Sequence, residues 1–222
     1  MKTGGILLSA LLLAFFPLPD RASAETILNE EFWAELEPLV VRGEQSVSME
    51  TAVRRVLEEG RFVFSCMIYG FAFSYTPSDR ARNVEEEFEL VLHHEIPPGD
   101  PGLFVHQTRR EGSRVFVRLR YGLRDFQESW YRGMRSNVHR AAAGTGEASY
   151  YEGHEMKIAA IQNAVKNAVR EHARTRIDNK PKKITGTAVL DQAPRIVIGS
   201  GAYIAACSVN LRIDEVRPYR AY

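Results

Sequence analysis

The sequence predicts an α+β fold in which amphipathic helices pack on an antiparallel β-sheet. Some segments repeat apolar residues at helical spacing, while others alternate apolar and polar residues as strands do. Strand segments follow one another in groups, which favours antiparallel sheet over alternating β-α-β units. The chain has 222 residues and can bury a substantial core. It forms one region at 25–222, which can divide into helix-plus-sheet halves at 25–123 and 124–222.

The first 24 residues have the layout of a secretory signal peptide. Lys2 precedes an apolar run at 6–16, and Ala22-Ser23-Ala24 forms a small-x-small cleavage site. The run is shorter than the about 20 apolar residues that span a bilayer. We therefore expect cleavage near Ala24, a periplasmic or extracellular location and no transmembrane segment in the mature chain. The cleavage site carries no cysteine, so no lipid anchor is expected there.

The N-terminal part of the mature region is predicted to begin with helices. Residues 31–36 suggest a short helix or a docking arm that ends near Pro38. Ser48 is placed to cap a second helix, which Gly60 would end. Residues 62–75 are apolar on both alternating faces, which predicts a central strand with a bend at Gly70.

Three further strands are predicted at 84–96, 103–108 and 114–123. The last two flank a turn that contains Gly112 and form a hairpin. In its second arm, Val117 and Leu119 alternate with arginines, so we expect the apolar pair to be buried. The arginines, Arg118 and Arg120, are expected to share an exposed face with at least one of Glu85, Glu87 and Glu89.

Two helices and three strands complete the prediction. The first helix covers 126–138 and ends at Gly144 and Gly146, and Ser149-x-x-Glu152 is a capping box for the second. The apolar stripe of the second helix, which is expected to pack on the C-terminal sheet, is Ile158, Ile161, Val165, Val169 and His172. Its solvent side is Lys157, Gln162, Lys166, Arg170, Glu171 and Arg174. The strands are predicted at 184–190, 195–198 and 203–214.

The two cysteines, Cys66 and Cys207, are far apart in the sequence, and the chain has no Cys-x-x-Cys motif. An oxidising compartment permits a disulfide between them. A disulfide also needs Cα atoms within about 7 Å, which few strand arrangements would provide. We therefore favour two buried free thiols and keep the bridge as the alternative.

The C-terminal third carries a family resemblance. Its residues are the helix 160–169, then Ile184-Thr185-Gly186, then Gly201-Ala202-Tyr203-Ile204 with the alternating strand that follows. Over residues 155–214 this pattern resembles the small helix-and-sheet domain of flagellar assembly protein T and related bacterial envelope lipoproteins. The lipoproteins carry a lipid-bearing cysteine that this chain lacks. The resemblance implies an envelope-associated structural or accessory role rather than catalysis.

A search for metal-binding and nucleophilic residues identifies no catalytic, cofactor-binding or metal-binding residues. Neighbours on a strand point to opposite faces, so His93 and His94 cannot share an ion. His154-Glu155 lacks a second histidine at the spacing that a zinc protease needs. The remaining histidines are His106, His139 and His172. Gly199-Ser200-Gly201 is typical of a hairpin connection rather than a nucleophile elbow, and a thiol beside Ser65 in an apolar segment would be inert.

Charge and aromatic content suggest partners without naming one. The chain has 29 basic and 28 acidic residues, which argues against nucleic acid as a partner. The basic turn at 180–183 could contact anionic lipid or cell-wall polymer, although a solvated loop explains it as well. Six aromatic residues could line a ligand pocket or simply fill the core. They are Phe62, Phe64, Tyr69, Phe71, Phe73 and Tyr75.

The function that we predict is that of an exported, non-enzymatic bacterial envelope protein. It would bind or scaffold another envelope protein or a cell-wall component, and no cofactor is expected. The alternative is a periplasmic small-molecule or lipid-binding protein with an aromatic-lined pocket. A hydrolase with an unrecognised site is the third hypothesis.

Overall fold

The structure, a computed structural model, describes residues 26–37, 47–136, 139–177 and 180–219. These residues form three α-helices and nine β-strands in two antiparallel sheets, which confirms the predicted α+β class. None of the helices in these ranges is long and apolar enough to cross a membrane. The predicted signal peptide lies outside the described residues.

The two sheets differ in size and share one core. The smaller sheet contains β1 (Ile27–Glu35), β4 (Leu103–Glu111) and β5 (Arg114–Gly122). The larger sheet contains β2 (Phe71–Thr76), β3 (Glu87–Leu92), β6 (Arg140–Ser149), β7 (Lys183–Leu190), β8 (Arg195–Gly199) and β9 (Ala202–Arg217). The helices are α1 (Met49–Ile68), α2 (Asp125–Gly133) and α3 (Met156–Arg176). The strand orders are β1-β5-β4 and β3-β2-β7-β9-β6, with β8 paired to β9.

Helix α1 lies between the sheets and contacts strands of both. Ser48 caps it, as predicted, by accepting a hydrogen bond from Thr51 N. The predicted end at Gly60 and the first part of the predicted strand at 62–75 are wrong, because the helix continues to Ile68. The second part of that strand is confirmed as β2, and Gly70, with a positive φ angle, separates it from the helix. A helix covered on both sides is apolar all round, so residues 62–68 lack the one-sided period of an ordinary helix. At Gly60 a Cβ atom would lie 2.2 Å from Leu119 Cδ1, so glycine lets the small sheet approach the helix.

The predicted helix at 31–36 is also wrong, because this segment belongs to β1. Its residues pair with β5 along the whole strand. Leu28, Phe32 and Ala34 are buried on the side that faces α1. Over such a short segment, the acidic residues between them have the same spacing as the polar face of a helix. The main-chain pairing with β5 nevertheless makes the segment a strand.

The hairpin of β4 and β5 is confirmed, and Val117 and Leu119 are fully buried. The predicted partners of Arg118 are wrong. The carboxylates of Glu87 and Glu89 lie on β3 in the larger sheet, whereas Arg118 lies in the smaller one. Glu31 of β1 takes their place, with Oε2 3.5 Å from Arg118 Nη2.

Two glycines expected to end a helix lie inside β6 instead. A Cβ atom at Gly144 would lie 2.2 Å from Ala164 O, and one at Gly146 would lie 2.1 Å from Ala164 N. Glycine is therefore needed where β6 and α3 approach closely. The predicted helix at 126–138 is confirmed only over its first part, because α2 covers Asp125–Gly133.

The C-terminal helix and strands follow the prediction, with shifted boundaries. Helix α3 begins at Met156 rather than at the proposed capping box, where a 3₁₀ turn, Tyr150–Glu152, is found. Ile161, Val165 and Val169 are buried against β6 and β9, as expected. Strands β7, β8 and β9 confirm the three predicted C-terminal strands.

Both cysteines are buried and free, which agrees with the favoured prediction. Cys66 lies on α1 rather than on a strand, and Cys207 lies on β9. Burial raises the pKa of the Cys66 thiol well above its ordinary value and that of Cys207 to about 12. Both thiols are therefore protonated and unreactive at neutral pH.

Candidate functional site

A cleft of about 720 Å³ opens between the C-terminal half of α3 and the β2–β7 side of the larger sheet. We call it the α3 cleft. Its lining combines apolar, aromatic and charged side chains. They are Tyr75, Pro77, Ser78, Asn167, Arg170, Glu171, Ala173, Arg174, Ile177, Lys180, Pro181 and Ile184.

The inner wall of the α3 cleft is apolar. Ile184 is fully buried on β7, Ala173 is buried on α3, and Ile177 is half-buried just beyond the helix end. Tyr75 adds a buried aromatic ring from β2 that packs against Phe88, with the ring centroids 5.1 Å apart. An apolar portion of a ligand would therefore contact side chains already withdrawn from water.

The rim of the α3 cleft carries arginines that differ in how firmly their carboxylate partners hold them. Arg170 makes two hydrogen bonds to Glu86, Nε–Oε1 at 3.0 Å and Nη2–Oε2 at 3.1 Å. Arg174 is paired with Glu171, 2.8 Å away on its own helix, and its side chain is 77% exposed. Such exposed pairs contribute only about 0–1 kcal/mol, so Arg174 can leave its partner at little cost.

Lys180 brings the predicted basic turn to the cleft. Its Nζ donates a hydrogen bond to Ser78 O at 2.9 Å, which places the ammonium group across from α3. Lys182 and Lys183 do not line the cleft. One of the three lysines of the turn therefore belongs to the site, and contact of the turn with lipid or cell wall stays a prediction.

Tyr75 supplies the cleft with a neutral hydroxyl group. Burial and the neighbouring Glu86 carboxylate raise the pKa of Tyr75 to about 12. The phenol therefore stays protonated at neutral pH. Tyr75 is the one member of the predicted aromatic set that lines the cleft; Phe62, Phe64, Tyr69, Phe71 and Phe73 belong to the core instead.

The histidines are dispersed. His93 Nε2 lies 3.4 Å from Thr187 Oγ1, whereas the His94 ring packs edge-on against Tyr69. In the described part of the chain, no group of three or more His, Cys, Asp or Glu side chains is arranged to hold a metal ion. Ser200 lies with Gly201 in the β8–β9 connection, and both have positive φ angles, which confirms the hairpin prediction.

A second polar cluster lies in the interior, and the sequence analysis did not identify it. Glu59 of α1 is in contact with two side chains from near the start of α3: its Oε2 lies 3.0 Å from His154 Nε2 and 3.3 Å from Lys157 Nζ. Lys157 also donates to the carbonyl oxygen of Trp33 on β1, and its Nζ lies 3.4 Å from the centroid of the Trp33 ring. The cluster therefore joins α1, α3 and the smaller sheet.

Burial and charge oppose each other in this cluster. Burial by itself would raise the pKa of Glu59, but Lys157 and His154 lower it below its ordinary value. Burial lowers the pKa of Lys157, and Glu59 and Glu35 work in the opposite direction. Since Lys157 has no exposed surface, it cannot touch a substrate. Lys157 therefore forms a structural joint between α1, α3 and the smaller sheet, whereas Glu59 and His154 also line a second cleft of about 280 Å³.

The predicted solvent position of Lys157 is wrong. It lies three residues before Ala160 and four before Ile161, both fully buried, and therefore belongs to the buried stripe of α3. Glu59 lies in the same way between Val56 and Val63 on α1. One charged residue within each of two apolar stripes was the sequence signal that could have identified the pair.

Comparison with known proteins relates almost the whole chain to others. A protein-family model matches residues 16–219. The chain belongs to this uncharacterised family. A relative from Treponema pallidum (strain Nichols), an uncharacterised protein, is 28% identical over 202 residues, which cover 90% of this chain and 85% of the relative. No solved structure matches. The resemblance of residues 155–214 to the flagellar assembly protein T domain stays a prediction.

Proposed function

We propose that this protein is an exported, non-enzymatic binding protein of the bacterial envelope whose ligand is a small anionic molecule with an apolar part. The observation that carries the proposal is the α3 cleft. Its volume of about 720 Å³ falls within the about 300–1,000 Å³ that is typical of small-molecule sites. Its apolar wall and charged rim match the two parts of such a ligand.

The charge of the rim favours an anion. Three cations, Arg170, Arg174 and Lys180, line the cleft together with one carboxylate, Glu171. Glu86 neutralises Arg170 through hydrogen bonds from two different nitrogens. Glu171 accepts two hydrogen bonds from Arg174, but both come from Nη2 and the pair is exposed, and Lys180 donates to a carbonyl oxygen rather than to a carboxylate. An arginine fork also matches the geometry of a carboxylate or phosphate.

Binding is favoured over hydrolysis because of where the acid–base groups lie. Glu59, His154 and Lys157 are the strongest candidates for proton transfer among the described residues, yet each is at least nine-tenths buried. In the cleft itself, Tyr75 stays protonated at neutral pH and Arg170 is occupied by Glu86. The predicted signal peptide supports the envelope location.

The test uses two ligands that differ only in charge. Calorimetric titration of the purified protein with octanoate and with octylammonium compares an anionic and a cationic head group on the same alkyl chain. We expect octanoate to bind and octylammonium to bind at least tenfold more weakly, since one charge reversal at an arginine exceeds about 1.4 kcal/mol. Equal binding of both ligands, or none, would contradict the proposal.

A matched pair of variants locates the site. Arg174→Glu should weaken octanoate binding about tenfold or more. Arg132→Glu is the control, because Arg132 is also largely exposed and paired with an acid on its own helix, Glu128, but does not line the cleft. If both variants lose affinity equally, the ligand binds elsewhere.

A further inference from the structure

Five strands, β1, β3, β4, β6 and β8, pair with one neighbouring strand only, and two of them, β3 and β4, have exposed edges of opposite charge. On β6 the carbonyl groups of Thr145 and Glu147 accept hydrogen bonds from Asn167 and Asn163 of α3, and on β1 the carbonyl of Trp33 accepts one from Lys157. By contrast, no described residue beyond the neighbouring strand β2 hydrogen-bonds to the main chain of β3. On β4, the main-chain hydrogen bond outside its own hairpin is that of Leu103 N, at the first residue of the strand, to Asp100 O, and the rest of its outer edge is free of such bonds to described residues. An unpaired strand edge is a template for another strand.

The free edge of β3 is acidic. Glu85, Glu87 and Glu89 are all exposed, and none of them forms an ion pair with a described residue. Glu87 and Glu89 point to one face of the strand together with Val91, which is 63% exposed. We call β3 with these carboxylates the acidic edge.

The free edge of β4 is basic. Arg109 lies on β4, and Arg118 and Arg120 lie beside it on the same outward face of β5. Arg109 is paired with Glu31 at 2.8 Å and with Glu111 of its own strand, and Glu31 also lies 3.5 Å from Arg118. Arg120 has no ion-pair partner among the described residues. Phe104, opposite Arg120, is 46% exposed. We call β4 with these arginines the basic edge.

We propose that the acidic edge of one copy of this protein pairs with the basic edge of a second copy. The occupant of each edge is thus another molecule of the same chain. Six residues of β3 can form a main-chain ladder with part of the nine-residue β4. Arg109 on β4 would then lie beside the carboxylates of the added strand, and Arg120, one strand further in on β5, would reach them over Phe104.

The charges also determine the symmetry of the contact. Pairing β3 with β3, or β4 with β4, would place like charges opposite each other and is disfavoured. The contact is therefore heterologous, and an assembly of any length keeps one acidic and one basic edge free at its two ends. Such contacts extend into linear assemblies unless the rotation closes a ring. The inference concerns a surface away from the α3 cleft and does not depend on the proposed ligand.

The first measurement is sedimentation velocity of the purified protein, expressed with its own N-terminal segment, over a concentration series. At about 0.01 M salt the Debye length is about 30 Å, and at about 1 M it is about 3 Å. We expect the weight-average mass at least to double at low salt and to return to that of one chain at high salt. A single-chain mass at low salt over the whole series would overturn the proposal.

Charge reversal on each edge gives the decisive test. Glu87→Lys/Glu89→Lys and Arg109→Glu/Arg120→Glu should each stay monomeric at low salt. Glu58→Lys/Glu152→Lys changes the charge by the same amount at exposed positions away from both edges, and should assemble as the unchanged protein does.

An equal mixture of the two edge variants should assemble again, because the new lysine edge of one variant complements the new glutamate edge of the other. A variant that merely failed to fold could not restore assembly. Failure of the mixture to assemble, or assembly of either edge variant alone, would contradict edge-to-edge pairing.

Discussion

At the scale of single residues, Lys157 shows best how burial changes a side chain's role. Its ammonium group has no exposed surface and depends on Glu59 and the Trp33 carbonyl for compensation. Removal of one partner of such a pair leaves an unpaired buried charge, whereas removal of both can be nearly neutral. The joint between α1, α3 and the smaller sheet therefore depends on the pair as a unit.

Lys157→Met should destabilise the protein by about 3–5 kcal/mol, because Glu59 would stay buried without its cation. Glu59→Gln/Lys157→Met should recover most of this loss. Urea unfolding of the single and double variants measures both effects. Arg217→Ala is the control, since its pair with Glu215 is exposed and should contribute less than about 1 kcal/mol. A double variant no more stable than Lys157→Met would show that the two side chains act independently.

At the scale of elements, the contact of β6 with α3 depends on residues that have no side chain. Gly144 and Gly146 allow the strand to approach the backbone of the helix at Ala164. The same helix supplies Asn163 and Asn167 to carbonyl groups of β6. Close backbone packing and edge capping thus occur together at this end of the larger sheet, which leaves β3 as its free edge.

Gly146→Ala should cost several kcal/mol, because the added methyl group would lie 2.1 Å from Ala164 N and force β6 away from α3. Gly133→Ala is the matched control, since an added Cβ there would have no neighbour within 4 Å. Thermal unfolding of both variants compares them. Equal melting temperatures would show that β6 can shift without loss of packing.

At the scale of the whole molecule, the larger sheet connects distant parts of the chain. Strands β2 and β3 precede residue 123, whereas β6 to β9 follow it. Helix α1 adds a further connection, since it contacts β1, β5 and β7. Although the chain can be divided into two predicted halves, we expect their strands to unfold together because β2 pairs directly with β7.

The two buried thiols can test this cooperativity. Cys66 lies between the sheets on α1, and Cys207 lies under α3 on β9. We expect neither to react with a thiol reagent in the folded protein and both to become reactive in one urea transition. Peptide mapping of the labelled cysteines distinguishes them. Exposure of one thiol at a lower urea concentration than the other would instead indicate two independently unfolding halves.

The sequence by itself determined the α+β class, the hairpin of β4 and β5, the apolar face of α3 and the burial of both cysteines. These features depend on local periodicity and turn residues, which are visible in short windows. Hydrophobic periodicity predicted the wrong type of element where a segment is covered on both sides, as at residues 62–68, or is short, as in β1. Only the tertiary structure decided these elements, because their partners are remote in sequence.

The candidate sites show the same division. The sequence indicated Lys180, Tyr75 and the charged rows on β3 and β5, but not which of them meet. Glu59 and Lys157 are brought together by the packing of α1 and α3, and the α3 cleft exists only because residues of α3, β2 and β7 meet there. Arg118 likewise pairs with Glu31 rather than with the glutamates of β3, because β3 and β5 lie in different sheets. Local patterns fix which faces are polar, whereas convergence of polar groups depends on contacts between elements far apart in the chain.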